Sequence, residues 1–152
     1  MTPAQDLEYR YVLACATASD IVDHLPLLYR LAKGREVVEL GTRRGVSTLA
    51  FLAARPKALH AWDINRHLEV DLFVWLAKAN GIPFTFKQED SLTCTIPPCD
   101  ILFIDTLHTY GQLSAELQRH SPMVRQYVAC HDTVTYGTRG EAGDPGLLPA
   151  IR

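Results

Sequence analysis

The chain has 152 residues, 47% of them hydrophobic and 21% charged, with a formal net charge of −2. That length suits one domain with a core of its own. The slight excess of acid argues against a nonspecific nucleic-acid binder, which would be basic. No apolar run reaches membrane-spanning length. The opening residues, Met1-Thr2-Pro3-Ala4-Gln5-Asp6, lack the basic and apolar regions of a secretory signal. Four cysteines (Cys15, Cys94, Cys99 and Cys130) show neither a C-x-x-C pair nor zinc spacing, which reads as reduced thiols in a cytoplasmic protein.

Ala, Leu and Tyr recur at helical spacing over residues 3–33, with a break at Ala18-Ser19-Asp20 and a stop at Gly34. Beyond Gly34, strand and helix patterns alternate. Residues 36–40 predict a strand, 46–54 a helix and 58–63 a strand. Residues 66–80 predict a helix closed by Asn80-Gly81, followed by a strand at 83–88. Residues 100–104 read as an apolar strand, 112–120 as a helix and 124–130 as a further strand. Such alternation predicts an α/β fold of βαβ units, with a parallel sheet and helices on both faces. The tail at 135–149 is rich in Gly, Thr and Pro and predicts a loop, with a new helix starting over 146–151.

The most informative stretch is Val37-Val38-Glu39-Leu40-Gly41-Thr42-Arg43-Arg44-Gly45-Val46-Ser47-Thr48-Leu49. An apolar run ends in an acid, two glycines follow four residues apart, and a helical pattern begins. Gly41 and Gly45 predict a tight turn that brings backbone close to a ligand, in front of the free N–H groups of a helix start. Glu39 stands at the carboxyl end of the strand, where open α/β sheets bind their ligands. A carboxylate there would repel a pyrophosphate and suits ribose hydroxyls or an ammonium group. The turn also lacks the G-x-G-x-x-G of dinucleotide binders, which argues against a nicotinamide-dependent oxidoreductase.

The E-x-G-x-x-x-G pattern resembles motif I of the class I S-adenosylmethionine-dependent methyltransferases. Two further segments narrow the resemblance: Ile104-Asp105-Thr106-Leu107-His108-Thr109-Tyr110 and His131-Asp132. Together they are similar to a subgroup of small-molecule and sugar O-methyltransferases, with relatives in cephalosporin biosynthesis. The resemblance covers residues 36–145 and implies a Rossmann-like three-layer sandwich with a mostly parallel sheet. Residues 1–34 would be an N-terminal helical extension serving as a cap or a dimer interface. Residues 35–152 would form the cofactor-binding core, without the C-terminal strand pair of longer family members. The sheet edge this exposes would be covered by a second subunit.

By the same resemblance, Glu39, Gly41, Thr42, Gly45, Ser47, Asp63, Asp90, Ser91 and Asp105 would bind S-adenosylmethionine. Asp63 lies 24 residues beyond Glu39, about where such folds place the acid that grips ribose hydroxyls; it would equally serve as a helix N-cap. Asp90 and Ser91 would face the adenine amino group or form a polar turn. Arg43 and Arg44 could reach the cofactor carboxylate. Asp105, His108 and His131 are the expected catalytic residues, with His108 as general base for an acceptor hydroxyl. Asp105 and Asp132 would hold a Mg²⁺ ion, although two adjacent acids are found in some relatives where this chain has His131-Asp132. The implied activity is O-methylation of a small-molecule hydroxyl. The alternative is a protein that binds S-adenosylmethionine without independent transferase activity.

Overall fold

A computed structural model describes residues 1–152. Helix α1 (Pro3–Ala16) begins at a capping box, in which Thr2 and Gln5 exchange side-chain and backbone hydrogen bonds. A short 3₁₀ turn at Val22–His24 leads into α2 (Leu25–Ala32). There follow β1 (Glu36–Leu40), α3 (Val46–Ala53), β2 (Ala58–Asp63), α4 (Glu69–Ala79) and β3 (Phe84–Gln88). The chain continues with β4 (Cys99–Ile104), α5 (Tyr110–His120), β5 (Val124–Cys130) and a four-residue α6 (Leu148–Ile151). Helix α4 starts three residues later than its sequence pattern predicts, because residues 64–68 turn across the mouth of the sheet before the helix sets in.

The five strands pair in the order β3-β2-β1-β4-β5, and all four pairings are parallel. This is the three-layer Rossmann-like arrangement, with helices on both faces. Val37, Leu59, Ile101 and Phe103 point to one face, where they pack against α3, α4 and the N-terminal helices. Leu7, Ile21, Leu25, Leu28 and Ala32 belong to that same core, so residues 1–34 are part of the sandwich wall. Val38, Leu40, Leu102 and Ile104 point to the other face, covered by Leu113 of α5 together with Cys94, Ile96 and Leu147. The alternation follows from the two-residue period of a strand. β1 and β4 are covered on both sides, which explains the apolar residues Val37-Val38 and Ile101-Leu102-Phe103-Ile104 on both of their faces.

Acids mark both ends of this sheet. At the amino end, Asp100 accepts from the Glu36 N–H at 2.9 Å and from Arg125 Nε at 2.8 Å, and Arg125 also pairs with the Glu36 carboxylate. That network ties β1, β4 and β5 together. At the carboxyl end the strand order switches sides between β1 and β4, and a cleft opens there.

Candidate active site

The cleft encloses about 820 Å³ and is lined by the turns after β1, β2, β3, β4 and β5. Arg43 is the sole Lys or Arg in its lining, against a majority of acids among the charged groups. Such a wall disfavours a pyrophosphate. The volume falls in the range of small-molecule and cofactor sites.

The glycine turn is built for the protein's own packing as well as for access. Gly41 has φ +88°, and a Cβ on it would lie 2.0 Å from the Asp105 carbonyl oxygen. Its smallness lets β1 and β4 end side by side, and it lines the cleft. Gly45 has φ +76°, but its missing Cβ makes room for the Phe73 ring of α4, 2.0 Å away. Gly45 does not line the cleft, and the space its missing side chain leaves is filled by Phe73.

Three other expected cofactor residues also stay out of the cleft. Glu39 is 0% exposed, and its two oxygens accept from Ser47 Oγ at 2.5 Å and Thr48 Oγ1 at 2.6 Å. Burial pushes the Glu39 carboxyl up to about 8, against the opposing pull of the two hydroxyls. Glu39 and Ser47 thus fasten β1 to the first turn of α3. Thr42 is buried and donates to the Trp62 carbonyl at 3.3 Å. Polar side chains in a turn between a buried strand and a buried helix satisfy each other before they reach solvent.

Asp63 does line the cleft. Its Oδ2 accepts from the Arg43 N–H at 2.6 Å and its Oδ1 from the Asn65 N–H at 2.8 Å. The N-cap of α4 is Leu68, so Asp63 is not the helix cap. Asp90 and Ser91 line the neighbouring wall, with Asp90 Oδ1 accepting from the Leu92 N–H at 2.8 Å in a polar turn. Arg43 pairs with Asp20 at 3.5 Å, both exposed to solvent.

At the other end of the cleft, four expected residues converge. Asp105 Oδ1 lies 3.2 Å from His108 Nε2 and 3.2 Å from His131 Nδ1. Asp132 Oδ2 lies 3.5 Å from His108 Nε2 and 3.4 Å from His131 Nδ1. Burial raises the Asp105 carboxyl, but hydrogen bonds from both imidazoles outweigh it and hold the group down at about 2. His108 is raised by its hydrogen bond to Asp105, against burial, and further by Glu141. His131 is raised by Asp105. Asp105, His108 and Asp132 line the cleft. His131 is 6% exposed and stands behind them, so it holds Asp105 in place and does not face the cleft.

The sequence patterns missed two partners of His108. Glu141 Oε1 sits 2.5 Å from His108 Nδ1 and also accepts the His108 backbone N–H at 3.2 Å, while the Glu141 N–H donates to the His108 carbonyl at 2.9 Å. Tyr136 stacks on the imidazole with ring centroids 4.7 Å apart and planes within 7°. Both come from the glycine-rich tail, which reads as a plain loop until the fold carries it back over α5. The donor atoms of Asp105, His108, His131 and Asp132 all lie within 4.8 Å of one another, close enough to converge on one ion. Two of the four are imidazole nitrogens, and the carboxylate oxygens already engage them. This donor set matches a softer divalent ion and is a poor fit for Mg²⁺, which takes oxygen ligands.

Comparisons with known proteins place this geometry in a family. No curated protein matches the sequence. Among solved structures, a candidate O-methyltransferase from Klebsiella pneumoniae is 18% identical, with a TM-score of 0.60 over 87% of this chain and 67% of that one. The 1,6-didemethyltoxoflavin-N1-methyltransferase of Burkholderia thailandensis, with bound 1,6-didemethyltoxoflavin and S-adenosylhomocysteine, is 18% identical, with a TM-score of 0.56 over 70% of this chain and 48% of that one. A ribosomal protein L11 methylase from Lactobacillus delbrueckii subsp. bulgaricus is 18% identical, with a TM-score of 0.53 over 68% of this chain and 55% of that one. The chain thus spans about half the length of two of these proteins, and all three share its fold. No helix is long and apolar enough to cross a membrane. A family model described as "Methyltransferase domain" matches residues 38–133, from β1 to the turn after β5, and the chain belongs to that family.

Proposed function

We propose that the protein transfers a methyl group from S-adenosylmethionine to a hydroxyl of a small molecule, at a site in the cytoplasm. The observation that carries this reading is the cleft itself: non-phosphate-binding walls at one end, and an acid–imidazole cluster at the other. The cofactor fits the first end. Asp63, oriented by two backbone N–H groups, offers its remaining lone pairs to ribose hydroxyls, and Asp90 and Ser91 offer acceptors to an adenine amino group. When bound, S-adenosylmethionine supplies an electrophilic methyl carbon on a sulfonium leaving group.

The chain's residues then have two tasks: to hold the acceptor oxygen in line and to take its proton. His108 is placed for the second. Glu141 fixes its Nδ1 side, which leaves Nε2 facing the cleft beside Asp105 and Asp132. The proton moves from the acceptor oxygen to His108 Nε2, and the two carboxylates stabilise the imidazolium that results. His131 keeps Asp105 in register for this role. No step passes through Mg²⁺, given the donor set. A small acceptor suits an enclosed cleft better than a nucleic acid suits so acidic a wall.

Purified protein incubated with S-adenosylmethionine and a panel of hydroxylated small molecules should release S-adenosylhomocysteine with at least one of them, unchanged by EDTA. Binding of S-adenosylhomocysteine without turnover on any acceptor would favour the alternative of a cofactor-binding protein lacking independent transferase activity.

A further inference from the structure

Glu116 has no part in the chemistry above, yet it is 0% exposed on α5 and sits directly behind the cleft wall. Its Oε1 accepts from Ser91 Oγ at 2.5 Å and from Gln112 Nε2 at 2.8 Å, and its Oε2 accepts from Thr106 Oγ1 at 2.9 Å. These donors come from three separate segments: the turn after β3, the turn after β4 and the first turn of α5. All three line the cleft. Gln112 Nε2 also donates to Ser91 Oγ at 3.0 Å.

With Glu116 ionised, this network has one consistent polarity. A carboxylate accepts and never donates. The Ser91 and Thr106 hydroxyl protons must therefore point back to Glu116, and Gln112 must turn its amide nitrogen the same way. What faces the cleft is the complement: Gln112 Oε1 and the lone pairs of Thr106 Oγ1, acceptors with no proton to offer.

We propose that Glu116 is a positioning residue that turns the side-chain lone pairs of this wall toward the cleft, and that the wall thereby selects a purine with an exocyclic amino group over one with an oxo group. The inference rests on the adenosyl-cofactor reading above and adds a specificity element to it. An amino group donates into the wall. A 6-oxo group would set acceptor against acceptor and leave buried groups unpaired, the situation that produces strong discrimination.

The test is calorimetric titration with S-adenosylhomocysteine and with S-inosylhomocysteine, its 6-oxo counterpart. The wild type should prefer the amino ligand by about tenfold or more. In Glu116→Gln the new amide can donate, so a hydroxyl proton turns toward the cleft, and the preference should fall to within roughly threefold. Gln112→Leu removes the cleft acceptor at a half-buried position on α5, and should lose the preference in the same way should Glu116→Gln fail to fold. A merely structural Glu116 would weaken both ligands together and leave their ratio unchanged, which would overturn the proposal. Equal wild-type affinity for the two ligands would also overturn it, while leaving the cofactor reading intact. Binding of neither ligand by the wild type would overturn both.

Discussion

The two ends of the cleft are built from the same acids but give them different partners. At the Asp63–Ser91 end, carboxylates meet backbone N–H groups and hydroxyls: Arg43 and Asn65 N–H on Asp63, Leu92 N–H on Asp90, and Ser91 and Thr106 on Glu116. Those donors are backbone amides and hydroxyls, which hold the acids in place without exchanging protons near neutral pH. At the Asp105–Asp132 end, the partners are two imidazoles, with Glu141 behind one of them. Imidazoles exchange protons in the physiological range. The difference separates a holding surface from a reacting one within a single cleft.

The largest effect should come from breaking the reacting end. His108→Ala is expected to lower turnover by about 100-fold or more, while leaving S-adenosylhomocysteine affinity within about twofold of wild type. Comparable losses in both would merge the two ends and dissolve the distinction. The holding end should show the converse. Asp63→Ala should weaken S-adenosylhomocysteine binding roughly 30-fold, the loss of charge-assisted hydrogen bonds; unchanged affinity in a titration would remove Asp63 from the ribose role.

A finer test uses pH. Asp105 and, next, Glu141 raise the His108 pKa, and a general base works only when neutral. Glu141→Gln removes one of the raising charges, so the acid limb of the pH–rate profile should move to lower pH. A limb that stays in place would show that Glu141 does not act on the reacting proton. For folding, the sign is also fixed: stability contributed by these raised histidines is fully present below their ordinary value and is lost as pH rises through their folded values.

Glu39 supplies the smallest prediction, on stability alone. Its folded value of about 8 lies above the ordinary 4.5. Between those values the folded state binds a proton that the unfolded state has released, so stability falls as pH rises from 4.5 to 8. Glu39→Gln abolishes that linkage. Between pH 6 and pH 8 the wild-type Tm should fall roughly 5 °C further than that of the variant. Parallel Tm profiles would mean that Glu39 carries its charge in the fold.

Much of this architecture was legible because it rests on local pattern. β1, β2 and β5 have the predicted boundaries, since a short apolar run between a glycine or charge and a turn leaves little choice of ends. Asp105, His108 and Asp132 were legible as a group because they fall at successive strand ends, which a parallel sheet must bring together. Glu39, Thr42, Gly45 and Ser47 do not line the cleft, which was not legible because sequence spacing does not show which side chains satisfy each other inside a turn. Glu141 and Tyr136 could not be read at all: their place depends on the path of a loop, and no period encodes that. Glu116 did leave a signal. α5 buries Leu113, Glu116 and His120 on one face, and two polar residues on a core-facing helical stripe point to a buried network.

Methyl transfer at this site requires the cofactor to bind. Calorimetric titration of the wild-type chain with S-adenosylhomocysteine at neutral pH tests it most directly. One site per chain with micromolar affinity is the predicted result; no heat of binding, with the protein shown to be folded by circular dichroism, would contradict the central claim.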